Sequence, residues 1–326
     1  MIRALPYKTK QFFYLVIKLS IVVGAFYFIY QKIANNENLD FRVFVEFLTK
    51  NGVFSSKNVI FLLFLTIFNW FFEILKWQNL VASVKKISYY DAAKQSLASL
   101  TASLFTPNRI GDYAAKVVYF AKSLRKRILL LNLISHMAQM GATVIFGVVG
   151  FILFYSKYEI EISYYRVSRF AVFIIVILLL TLFGIKQDKF KIKGFSMTRI
   201  LEFGKNISIQ IHAKNILYSC IRYLIFSFQF FFLLTIFGVD VSYFNAMIVI
   251  SSMYFLSSII PSIFLFDVVI KGSVALYLFE IVGVNNLTIL CIITLMWILN
   301  FVIPSIFGSF FVLNFRQYKS LDALTR

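Results

Sequence analysis

Charge is scarce in this chain. Only 14% of its 326 residues are Asp, Glu, Lys or Arg, too few to cover a soluble domain of this length. Cysteine is nearly absent. Cys220 and Cys291 both lie in apolar stretches with no second Cys or His at ligand spacing, so neither a disulfide nor a cysteine metal site is expected. There is no Gly-rich phosphate loop, HExxH, GxSxG or Cys cluster. Without such a constellation the sequence predicts no catalytic residues, no cofactor, no metal and no enzymatic activity.

What is present is apolar: 60% of the residues, with 40 phenylalanines among them. Repeated apolar stretches of about 17–25 residues suit helices crossing a hydrocarbon layer of roughly 30 Å. Spans are predicted near Gln11–Tyr30, Asn58–Leu75, Ile128–Tyr155, Arg169–Ile185, Asn215–Phe237 and Thr288–Leu313. The first is too long for a signal-peptide core and lacks a small-x-small site, so it reads as uncleaved. Residues 1–326 are expected to form a single polytopic membrane domain, with no room for a separate soluble one.

The net charge of +19 would suit nucleic acid, but its placement argues otherwise. With a cytoplasmic N-terminus, the inside loops collect 21 Lys and Arg and the outside loops 7. Lys76 is counted here as an inside-loop residue. This bias follows the positive-inside rule and puts both termini in the cytoplasm of a cell with the protein in its plasma or inner membrane. Lys186–Lys193 reads as a basic loop against anionic headgroups, or equally as ordinary topogenic charge. Leu39–Leu48 reads as a short interfacial helix on the outer side.

Two longer apolar regions, 92–121 and 243–282, are broken in the middle. Each contains a proline, then an aspartate, then a lysine four residues on: Pro107, Asp112 and Lys116; Pro261, Asp267 and Lys271. Each region is either two complete spans or a re-entrant hairpin, and length favours the hairpin. Ala92–Phe105 rises only ~20 Å as a helix, and Asp112–Ala121 about 14 Å. Pro107–Gly111 and Pro261–Phe266 would form the tips, with Gly111 allowing a sharp turn. One hairpin enters from each side, so the expected fold is all-α, with about six spans and two oppositely oriented re-entrant hairpins as an inverted repeat.

Ionisable groups at membrane depth are costly and usually face a partner or a wet cavity. Asp112/Lys116 and Asp267/Lys271 each share a helix face at i, i+4. Alone, either pair is explained equally well as self-neutralising. Their recurrence beside helix breaks in both halves points to a substrate path. Asn108 and Arg109 join them at the first tip, where Arg109 could grip a lipid phosphate or pair with a distant acid such as Glu73. Glu73 and Arg222 are candidates to pair across helices. His136, with Asn132 and Gln139 near it, reads as a hydrogen-bonded interior residue rather than a proton relay.

Through these residues the chain resembles the family named for the transmembrane region of lysylphosphatidylglycerol synthase, also described as flippase-like integral membrane proteins. The resemblance runs through Leu75-Lys76-Trp77, through Pro107, Gly111, Asp112 and Lys116, and through Pro261, Asp267 and Lys271-Gly272. It departs at Asn108-Arg109, where many members have glycines, and at Lys271, where Arg is common. The resemblance implies the flippase-like part without the soluble aminoacyl-transfer domain. Substrate-binding residues expected from the two readings together are Asn108, Arg109, Asp112, Lys116, Asp267 and Lys271. Their ligand would be a membrane phospholipid or lipid-linked glycan, moved by its anionic headgroup. A small-solute or proton-coupled transporter, or a non-transporting helper of a lipid-modifying enzyme or glycosyltransferase, are the alternatives.

Overall fold

In a computed structural model the structure describes residues 16–20, 23–24, 27, 30, 41–104, 106, 110–158, 197–259 and 267–315, with the backbone alone at 41, 197–199 and 267–271. The described elements are helices: α1 (Phe41–Lys50), α2 (Ser56–Val81), α3 (Tyr89–Ser103), α4 (Ile110–Val117), α5 (Arg125–Lys157), α6 (Met197–Lys205), α7 (Ile209–Ile236), α8 (Tyr243–Ile259), α9 (Asp267–Ile281) and α10 (Asn286–Trp297). The last runs through a π-helical turn (Ile298–Val302) into α11 (Ile303–Leu313). Among the described residues, four helices are long and apolar enough to cross a bilayer: α2, α5, α7 and the continuous α10–α11. They match four of the predicted spans. The predicted span at Arg169–Ile185 and the basic loop Lys186–Lys193 lie outside the described residues. Of Gln11–Tyr30, the described positions are helical, and Lys18 Nζ donates to the Leu313 carbonyl at 3.0 Å.

The four long helices turn apolar side chains outward and bury polar ones among apolar neighbours inside. On α2, Ile60, Phe64, Ile67 and Phe71 face outward, while Thr66, Asn69 and Lys76 are buried. The buried set recurs every three or four residues, which is one face of a helix. Apolar side chains turned outward are expected where hydrocarbon is the solvent.

Among the described residues, the helices of both broken regions are shorter than the four long ones. In the first, α3 has 15 residues and α4 only 8, rising about 22 and 12 Å. They run antiparallel. α3 starts at Ser88, whose Oγ accepts from the Asp91 amide at 3.1 Å and donates to Asp91 Oδ2 at 2.8 Å, a reciprocal cap that satisfies an orphan donor. Its interior is Ser, Ala and Thr, residues that let helices approach closely. Gly111 serves closeness rather than a left-handed turn: it is absent from the positive-φ glycines, yet a Cβ there would sit 2.1 Å from the Ala102 carbonyl oxygen. In the second region, α8 has 17 residues and α9 has 15, and the predicted tip at Pro261–Phe266 lies outside the described residues. The predicted interfacial helix corresponds to α1, which buries Phe44 and Leu48 and stacks Phe47 on Phe237 at 5.3 Å.

The packing is reciprocal. α2 lies against α7, the first described long helix of each half of the chain. α3, the longer arm of the first broken region, packs on α11; α8, its counterpart, packs on α5. Each half thus holds the other half's broken region. Both seams depend on glycine. A Cβ on Gly308 would lie 2.2 Å from the Leu97 carbonyl oxygen, and one on Gly150 would lie 2.5 Å from Ser251 Cβ. Because backbone cannot swing aside, Gly308→Ala is expected to separate α3 from α11 and lower stability by about 1–3 kcal/mol. Gly141, with nothing within 4 Å, is the control: Gly141→Ala is expected to be neutral or to stabilise by ~0.5–1 kcal/mol. Reversible unfolding of both variants in detergent measures the contrast.

Candidate functional site

The first of the two predicted acid–base pairs is a buried hub. Asp112 and Lys116 project from α4 and are 7% and 2% exposed. The lysine Nζ stands 3.3 Å from Asp112 Oδ1, but the carboxylate has closer partners. Ser99 Oγ on α3 donates to Oδ1 at 2.5 Å, and Asn132 Nδ2 on α5 donates to Oδ2 at 2.6 Å. His136 Nε2, one turn further along α5, lies 2.9 Å from the same oxygen. Asn132 also accepts from Lys116 through Oδ1 at 2.8 Å. Only one orientation of its amide serves both neighbours, since a carboxylate needs the NH2 and a lysine needs the oxygen.

On its other side Lys116 lies over the indole of Trp77, 4.5 Å from the ring centroid, a desolvated cation–π contact. The Trp77 N–H, which can only donate, is held by Gln95 Oε1 on α3 at 2.8 Å.

A second charged cluster sits on the adjoining face of α2. Glu73 takes both Lys76, at 2.8 Å, and Arg222 of α7. The candidate Glu73–Arg222 pair is therefore formed. Gln139 Oε1 accepts from Arg222 Nη1 at 3.0 Å and from Lys76 at 3.5 Å, while its Nε2 donates to the Ser219 carbonyl at 3.2 Å. Lys76 corrects the charge reading: at 2% exposure it is an interior residue of α2, not a loop residue. Removing it leaves 20 inside-loop basic residues in place of 21, so the bias is little changed.

From Arg222 a thread of amides continues. Arg222 Nε donates to Asn69 Oδ1 at 3.1 Å, Asn69 Nδ2 to Asn300 Oδ1 at 3.0 Å, Asn300 Nδ2 to Gln229 Oε1 at 2.8 Å, and Gln229 Nε2 to Thr66 Oγ1 at 3.0 Å. Asn300 belongs to the π-helical turn, whose loosened ladder leaves its carbonyl to accept the Trp70 N–H at 3.1 Å. From Thr66 to Lys76 the thread follows about 15 Å of α2.

Three basic side chains (Lys76, Lys116, Arg222) thus meet two carboxylates (Glu73, Asp112) in the described interior. The balance is one positive charge. His136 stands at the edge, its side chain 38% exposed. Among the described residues no three His, Cys, Asp or Glu side chains converge as metal ligands would.

Of the other predicted site residues, Asn108 and Arg109 lie outside the described residues. Asp267 opens α9 and Lys271 follows one turn later on it, both described by backbone alone. Ser99, Asn132, His136 and Trp77 join the first pair only in the fold, and the sequence does not name them as its partners. The available signal was Asn132, His136 and Gln139 at i, i+4 and i+7 on one face of α5, a polar stripe on an otherwise apolar helix.

No curated protein and no solved structure shows a significant match. Residues 15–308 match the family described as lysylphosphatidylglycerol synthase TM region. The buried Asp112–Lys116 pair lies within that match, as do the four long apolar helices except for the last residues of α11. This chain is a membrane protein that belongs to the lysylphosphatidylglycerol synthase transmembrane-region family, a flippase-like family.

Proposed function

We propose that the protein translocates the anionic headgroup of a phospholipid or lipid-linked glycan across the cell membrane, without chemical change to the lipid. The observation that carries this reading is the surplus positive charge among the buried groups of the two clusters. Buried charge without a counterion is expensive, and a lipid phosphate would supply the counterion in transit. Arg222 and Lys116 would release their carboxylates in favour of the phosphate, which guanidinium and ammonium groups both grip.

The short arms α3 and α4 support a hairpin that enters and leaves on one side. The reciprocal packing of the halves supports an inverted repeat, which places substrate sites where broken helices meet. With the positive-inside orientation, α3–α4 enters from the cytoplasm and α8–α9 from outside. Asn108, Arg109, Asp267 and Lys271 would line the path from the two tips. A second reading, proton-coupled transport of a small solute, draws on His136: it is half-exposed and shares Asp112 with a lysine.

Reconstitution into liposomes tests both. Labelled anionic phospholipid is expected to cross in the presence of the protein, and the Lys116→Ala/Lys271→Ala double variant is expected to lose the transfer while remaining monodisperse. Unchanged transfer in that variant would remove these lysines from the path. Uptake of a water-soluble solute that collapses with the proton gradient, with no lipid transfer, would replace the first reading with the second.

A further inference from the structure

A cleft of about 300 Å³ opens at the base of the α3–α4 hairpin, between the start of α3 and the segment that follows α4. It is lined by Lys85, Lys86, Ser88, Asp91, Gln95 and Tyr119, among others. Its volume is at the small end for a ligand site, suited to a headgroup and not to acyl chains.

The chemistry of the lining is that of an anion site. Lys85 and Lys86 stand at the rim, and the one acid there, Asp91, is engaged in the Ser88 cap of α3. The floor is Gln95, 5% exposed. Because the Trp77 indole can only donate, Gln95 must present its Oε1 to that side. Its NH2, for which no acceptor is seen among the described residues, is left to serve as a donor at the cleft. Tyr119 supplies another donor: burial pushes its phenol well above the usual range, so the hydroxyl keeps its proton. The floor is also one step from the charged centre. Gln95 holds Trp77, and Trp77 carries Lys116.

We propose that this cleft binds the phosphate of an anionic headgroup, docking it below the Lys116–Asp112 centre before it enters the hairpin. The role as a loading site rests on the translocation reading; the binding itself does not. The ligand chemistry, a phosphate ester, belongs equally to a lipid and to a free phosphate, so both are tried.

The full chain in phosphatidylcholine nanodiscs is titrated with dihexanoyl phosphatidylglycerol, glycerol phosphate and inorganic phosphate, with dihexanoyl phosphatidylcholine as the zwitterionic control. Binding is read by calorimetry and by the rise in unfolding temperature. The anionic lipid is expected to bind. Lys85→Ala/Lys86→Ala is expected to weaken it by about tenfold or more. Gln95→Glu, which keeps an oxygen for Trp77 but puts a carboxylate on the floor, is expected to abolish it. Equal binding of glycerol phosphate or inorganic phosphate, lost in the same variants, assigns the cleft to a free phosphate. Absence of binding by every anion, or binding untouched by both variants, overturns the cleft. Labelled-lipid transfer is run on the same preparations. Transfer that persists without cleft binding sinks the cleft alone, and cleft binding without transfer sinks the translocation reading alone.

Discussion

Asp112→Ala is expected to lower the unfolding free energy by about 3–5 kcal/mol, the range for breaking a buried ion pair from one side. The wild-type carboxylate accepts from Ser99, Asn132 and His136 and lies beside Lys116. Removing it takes a partner from four groups at once. The neutral ones contribute little, since hydrogen bonds between transmembrane helices average only about 0.6 kcal/mol. The stranded lysine sets the size of the effect. Its remaining partners, Asn132 Oδ1 and the Trp77 ring, are dipoles and a quadrupole, not a counterion. The Asp112→Ala/Lys116→Met double variant removes that charge and is expected to recover at least about 1 kcal/mol relative to Asp112→Ala alone. Chemical unfolding in mixed micelles provides the comparison. A loss below about 1 kcal/mol for Asp112→Ala, or a double variant no better than the single, would show that the lysine charge is compensated elsewhere.

The second cluster is expected to respond asymmetrically. Glu73 is the only acid bonded to Lys76 and Arg222 among the described residues. Glu73→Gln leaves two cations near one another with no acid between them, and is expected to cost about 3–5 kcal/mol or more. Arg222→Met leaves a balanced Glu73–Lys76 pair one turn apart on α2, so its cost should be smaller by about 1–2 kcal/mol even though it deletes more hydrogen bonds. Counting bonds predicts the opposite order. Measuring both variants under one denaturant decides between charge balance and bond number. Arg222→Met as the more damaging change would reject the surplus-charge account of the interior.

The long helices were legible because an apolar run of spanning length has few other uses. Their ends were not. Asn58–Leu75 stops short of the observed Val81 because Lys76 looks like an interface residue. Its charge is tolerated at depth only because Glu73 and Gln139 meet it there, and Gln139 sits on another helix. The Asp112–Lys116 pairing was legible for the opposite reason: it is local, a consequence of i, i+4 geometry. Asn132 and His136 lie 20 and 24 residues from Asp112 and reach it only because α4 packs on α5. Gly111 shows the same limit. A glycine after a proline suggests a turn, whereas its use here is set by how near the Ala102 carbonyl passes.

The exchange of α3 and α8 between the halves has a consequence for how the molecule can change shape. A domain that kept its own short helices could swing one end open and leave the other untouched. Here the helix that walls in one broken segment is rooted in the opposite half, so shifting either half drags the enclosure of both. In the proposed translocation, access from the two faces would therefore be tied together as on a seesaw, with Gly308 and Gly150 where its two arms bear on their supports.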